Sequence, residues 1–98
     1  MELADVRCIA VLGLRRSGRP AALLARRELP EARVVARDEG APPADDTVEV
    51  LEAAGIEVLT GPAAVLPDDA GLLVKSPGVP GSSIAVQEAV RRGVALWS

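Results

Sequence analysis

Residues 13–18 read Gly-Leu-Arg-Arg-Ser-Gly and follow directly on the apolar run Val-Arg-Cys-Ile-Ala-Val-Leu at 6–12. A glycine turn between a buried strand and a helix start is a place where phosphate binds. The first N–H groups of the helix have no partner within it, and its dipole favours an anion there. Gly13 permits the tight turn, and Gly18 permits close packing of helix on strand. Arg15 stands where the G-x-G-x-x-G fingerprint has its middle glycine, the residue that lets phosphate approach the backbone. Arg15, Arg16, Ser17 and Gly18 are therefore the first candidates for contact with a diphosphate. The alternative is a plain strand–turn–helix whose glycines serve packing alone.

Two further segments belong to the same argument. Asp38 lies twenty residues after Gly18, at the end of the run Ala-Arg-Val-Val-Ala-Arg-Asp at 32–38. An acid at that place in a dinucleotide-binding fold holds ribose hydroxyls. With Glu39 it otherwise reads as part of a solvated loop. Lys75-Ser76-Pro77-Gly78-Val79-Pro80-Gly81 is a stiff loop after a fourth apolar run. Gly78 there lets a backbone N–H face a ligand, although a rigid connection into a helix explains the same residues. Asp45-Asp46 and Asp68-Asp69 read as solvated acids of polar loops. Cys8 sits inside an apolar run and reads as an inert core thiol.

These candidates need a scaffold, and the pattern supplies one. Strands are expected at 6–12, 32–38, 56–59, 71–75 and 94–97, each short and apolar on both faces. Between them lie helical patterns at 19–29, 47–54 and from Ser82 or Ser83 to Arg92. The first has Ser17 as its cap and Pro20 in its first turn, and Pro30 stops it. Asp46 is the expected cap of the second, and Gly55 and Gly93 close the second and third. One helical turn is expected around 63–66. Strands alternating with helices predict an α/β fold: a Rossmann-like, doubly wound, five-stranded parallel sheet in the order 3-2-1-4-5. In such a sheet ligands bind where the strand order reverses, at the carboxyl ends of the strands.

Composition removes other chemistries. Ninety-eight residues make one small domain. With no histidine and one cysteine, a Ser-His-Asp triad, an internal disulfide and a histidine- or cysteine-built metal site are all excluded. A net charge of −3 and a single aromatic residue, Trp97, argue against nucleic acid as a partner. No apolar run approaches the length of a membrane span, so no membrane partner is expected.

The stretches VRCIAVLGLRRSGR, ARVVARD and LEAAGIEVLTGPAAVLPDDAGLLVKSPGVPGSSIAVQEAVRRGVALWS together resemble the N-terminal domain of the Mur ligases, in particular the D-glutamate-adding members. The run KSPGVP, followed by a helix and R-G-V-x-L, carries most of the likeness. What the resemblance implies is specific. The whole enzyme would join D-glutamate to UDP-N-acetylmuramoyl-L-alanine through an acyl phosphate, using ATP and magnesium in a central domain that this chain lacks, together with a third, amino-acid-receiving domain. Residues 1–98 would be one UDP-binding unit with no cofactor of its own. The diphosphate would meet Arg15, Arg16, Ser17 and Gly18, the uracil Asp38 and Glu39, and the loop at Ser76 and Gly78 would close the other side. The chain has no G-K-[ST] loop and would not ligate alone. The absence of a basic leader and the class of substrate lead to the expectation of a cytoplasmic protein. An NAD-binding domain and a degenerate interaction module are the alternatives.

Overall fold

The computed structural model describes residues 5–14, 18–40, 42–43, 45–61, 66–76, 79, 81 and 83–97. Five strands, β1 (Cys8–Leu12), β2 (Arg33–Asp38), β3 (Glu57–Thr60), β4 (Leu72–Lys75) and β5 (Ala95–Trp97), alternate with helices α1 (Gly18–Glu28), α2 (Thr47–Ala53) and α3 (Ile84–Arg92). The sheet runs β3-β2-β1-β4-β5, and every pairing is parallel. Fold class and strand order are those expected from the alternation of apolar runs and helical patterns.

Each face of the sheet carries its own core. Ile9, Val11, Val34 and Ala36 point to one side, where Ala22 of α1 and Leu51 of α2 close over them. Cys8, Ala10, Leu12, Val35 and Leu73 point to the other, against Ala85, Val86 and Ala89 of α3 and Leu66. Alanines on the helices let backbone lie close to sheet, which is how a chain with one aromatic side chain fills two layers. β1 is buried along its whole length, because it has a neighbouring strand on either side and helices above and below.

The helix ends follow local chemistry with one departure. Ser83 accepts a hydrogen bond from Val86 N at 3.3 Å, and Gly93 closes α3 in the left-handed region at φ 70°. Asp46, the expected cap of α2, makes no capping bond. Asp45 instead accepts from Thr47 N at 3.0 Å, while Asp46 pairs with Arg19 of α1 at 2.8 Å. Two adjacent aspartates compete for one helix start, and the cation on α1 draws the second away. The expected turn around 63–66 falls largely on residues outside those described.

Cys8 is fully buried, and burial, with Asp69 nearby, pushes its thiol up to about 11. It is a core residue, as its setting in the sequence indicates. Among the described residues no helix is long and apolar enough to cross a membrane.

Candidate functional site at the carboxyl edge of the sheet

The strand order reverses at β1, which lies between β2 and β4. The connections that leave the carboxyl ends of β1 and β4 go to opposite faces, the arrangement at which open α/β sheets bind ligands. The glycine turn, Asp38, Glu39 and the loop after β4 all lie at this edge.

The turn is held from two sides. Gly13 N donates to Arg37 O at 2.8 Å, and Gly13 has φ +95°, a region that disfavours any side chain. A Cβ at Gly13 would come within 3.0 Å of Val79 and 3.1 Å of Ser76, so the loops after β1 and β4 touch. Gly18 is more restricted, since a Cβ there would sit 1.5 Å from the Gly13 carbonyl oxygen. The first residue of α1 thus packs directly on the turn, which is the packing role its place in the sequence suggested.

Asp38 is the bracket of this edge. Its Oδ2 accepts from Leu14 N at 3.0 Å, and its Oδ1 accepts from Gly40 N at 2.8 Å. One carboxylate therefore shapes both its own loop and the turn after β1. Each oxygen keeps a further lone pair for a ligand hydroxyl or N–H.

Glu39 reaches over the edge in the other direction. Its Oε1 accepts from Ala85 N, in the first turn of α3, at 3.3 Å. An acid at a helix start is favoured by the dipole. Ser76 sits opposite Asp38: its N–H donates to Leu12 O at 3.1 Å, and its hydroxyl approaches Gly13 O at 3.4 Å. Lys75 turns its ammonium to Val79 O at 3.0 Å and stiffens the same loop. Gly18, Asp38, Glu39 and Ser76 are thereby brought together around the turn. Arg15, Arg16, Ser17 and Gly78 lie outside the described residues.

Sequence reasoning did not single out Arg37. It is 2% exposed, and its Nε is buried without a hydrogen-bond partner among the described residues. Its register partner on β1 is Leu12, and Leu12 is in turn paired with Lys75. The three share the α3 face of the sheet, with Glu39 just beyond the end of β2. Burial pulls the Arg37 guanidinium below its ordinary range, with Glu88 the main opposing charge. The available signal was a cation inside an otherwise apolar run, two residues before an acid of the same face.

An open parallel sheet with its turn, bracket and second loop gathered at the order reversal defines a Rossmann-like α/β unit with a candidate site at its carboxyl edge. Over nearly all of its length this unit is similar to ligases named UDP-N-acetylmuramoylalanine–D-glutamate ligase, as the resemblance to the Mur ligases led one to expect. The enzyme of Shouchella clausii is 42% identical across 92% of this chain and 20% of its own length. That of Salinibacter ruber is 39% identical across 90% of the chain and 18% of its own length. That of Bacillus pumilus is 31% identical across 100% of the chain and 22% of its own length. The chain thus spans about a fifth of the length of the curated relatives it matches. No protein-family model matches it.

Proposed function

We propose that this chain is the N-terminal domain of a D-glutamate-adding ligase of peptidoglycan synthesis and holds the uridine diphosphate part of UDP-N-acetylmuramoyl-L-alanine. The observation that supports this most is the meeting of three segments at one edge: the glycine turn, the Asp38 bracket and the Ser76 loop. It is joined by similarity to ligases named UDP-N-acetylmuramoylalanine–D-glutamate ligase. On this reading the diphosphate lies at the start of α1, against the backbone of Arg16, Ser17 and Gly18, with Arg15 over it. The uracil lies by Asp38 and Glu39. Ser76 and Gly78 close the crevice from the β4 side. The Asp38 bracket holds Leu14 N and Gly40 N before any nucleotide arrives, and groups fixed in advance lower the cost of binding.

Activation by ATP and magnesium belongs to other parts of such an enzyme. The sequence has no G-K-[ST] loop. The residues of this chain bind and orient; no bond-making step is assigned to them. A cytoplasmic setting goes with this substrate.

A second reading, NAD binding, rests on the position of Asp38 at the end of β2. Thermal protection separates the two. UDP or UDP-N-acetylmuramoyl-L-alanine should raise the melting temperature more than NADH at equal concentration, because binding to the native state alone stabilises it by mass action. Chemical-shift changes at Gly13, Leu14 and Gly18 with NADH but none with UDP would overturn the proposal.

A further inference from the structure

The arginines of this chain are satisfied in the reverse of the expected order. Arg19 and Arg33 reach carboxylates, and Arg26 and Arg92 reach carbonyl oxygens, although none of the four is buried. Arg37 is buried, yet its Nε has no acceptor and it joins no ion pair among the described residues. A guanidinium taken out of water without a counter-charge is destabilising. A methionine in its place would fill the same layer without that penalty, so packing alone does not account for an arginine.

Its surroundings indicate what would satisfy it. Side chains two apart along a strand share a face, so Arg37 and Glu39 both lie on the side that α3 covers. The acids whose charge reaches the guanidinium are Glu88 of α3 and Glu39, which places it beneath the first two turns of that helix. Cys8 shares this face, and its thiol, pushed up to about 11, is neutral at pH 7. Both acids are engaged elsewhere. Glu88 bonds to Arg92 at 2.9 Å. Glu39 accepts from Ala85 N at 3.3 Å, longer than the usual value of about 2.9–3.0 Å. Ala85 N belongs to the first turn of α3, where Ser83 already holds Val86 N. On the other side of β1 the half-buried Lys75 adds a second cation to this face. Its ammonium donates to Val79 O and has two more protons to give.

We propose that Arg37 and the start of α3 form a binding site for free phosphate, separate from the nucleotide position at the start of α1, in which the Glu39 carboxylate stands in for the ion. Phosphate entering from the carboxyl edge takes Ala85 N from Glu39 and gives the Arg37 Nε–H the acceptor it lacks. Helix start and guanidinium favour the same charge. The Glu39 carboxylate reaches only the first of these donors, whereas a tetrahedral ion has oxygens enough to bridge both. So little of Arg37 is exposed that the ligand must be small, which favours the free ion over an ester. The proposal does not rest on the nucleotide reading.

Nuclear magnetic resonance tests it on the nitrogen-15-labelled chain, with inorganic phosphate replacing chloride at constant ionic strength. The Arg37 Nε–H and Ala85 N–H signals should move together along one saturable curve. Arg37→Met should weaken phosphate binding, read at Ala85, by about tenfold or more, the scale of a lost charge-assisted hydrogen bond. Without phosphate the same variant should melt at or above the parent, since a buried unpaired charge is gone. Glu39→Gln keeps an acceptor for Ala85 N but removes the competing charge, and phosphate should bind about threefold tighter, the scale of one half-exposed charge contact. Shifts at Leu14 and Gly18 with none at Arg37 Nε–H would overturn the proposal. So would an Arg37→Met protein that melts below the parent and keeps the full response at Ala85, because Arg37 would then serve packing. Loss of the Arg37 shift in saturating UDP would make this one site with the nucleotide's and overturn the separate one. UDP protection is read independently: if UDP protects while Arg37 stays unmoved by phosphate, the phosphate site falls and the nucleotide reading stands.

Discussion

At the scale of the residue, Asp38 has the most to do. Its two oxygens accept from Leu14 N and Gly40 N. Asp38→Asn keeps size and shape but turns one acceptor into a donor that faces an N–H. An unmade bond of this kind costs about 1–2 kcal/mol. The variant should therefore lose stability in urea and bind UDP more weakly, both by way of the displaced turn. Asp38→Asn that melts like the parent would show the bracket to be dispensable. The sequence pointed to Asp38 by its distance from Gly18, as a nucleotide ligand or a solvated loop acid, and not as a bracket between loops. Its bond to Leu14 N joins segments 24 residues apart, and no local pattern reports such a pairing. Arg37 was missed for a related reason: a lone arginine in a strand reads as exposed until the helix above it is known.

Elements were more legible than their ends. Strands and helices fall within one or two residues of the expected spans, because period and punctuation both act locally. The strand order was legible too, since right-handed crossovers leave few ways to arrange such a chain. The start of α2 was not, because its outcome turns on Arg19, 27 residues before Asp46. The two caps give a contrast that can be measured. Ser83→Ala removes the bond to Val86 N and should cost about 1 kcal/mol, read as a lower urea midpoint. Asp45→Ala should lower the melting temperature, whereas Asp46→Ala should lower it less, because that ion pair is largely solvated. An Asp46 variant that suffers more than the Asp45 variant would restore Asp46 as the cap.

At the scale of the whole molecule, the two ends of the sheet are held by different forces, and pH separates them. The carboxyl edge is tied by Asp38, Ser76 and backbone bonds around the candidate site. The amino end is tied by charge: Arg33, at the start of β2, bonds to Glu57 of β3 and to both oxygens of Asp69, just before β4, at 2.7 and 2.8 Å. Arg33 holds the Asp69 carboxyl below its ordinary range. A carboxyl lowered in the folded state binds its proton more readily when unfolded. Its contribution is complete above the unfolded value, about pH 3.9, and disappears as pH falls through the lower, folded value. Asp69→Asn should then be less stable than the parent at pH 7, by about 1 kcal/mol or less given how exposed the pair is. The two proteins should converge once Asp69 is protonated, at a pH below the ordinary carboxylate range. UDP, acting at the opposite edge, should raise the melting temperature of both by the same amount at pH 7, since distant sites add. The pH series with and without UDP checks all of this. A difference between the two proteins that persists in acid would place the effect in packing, and unequal UDP protection would mean that the two ends of the sheet are coupled through β2, the one strand that carries both Arg33 and Asp38.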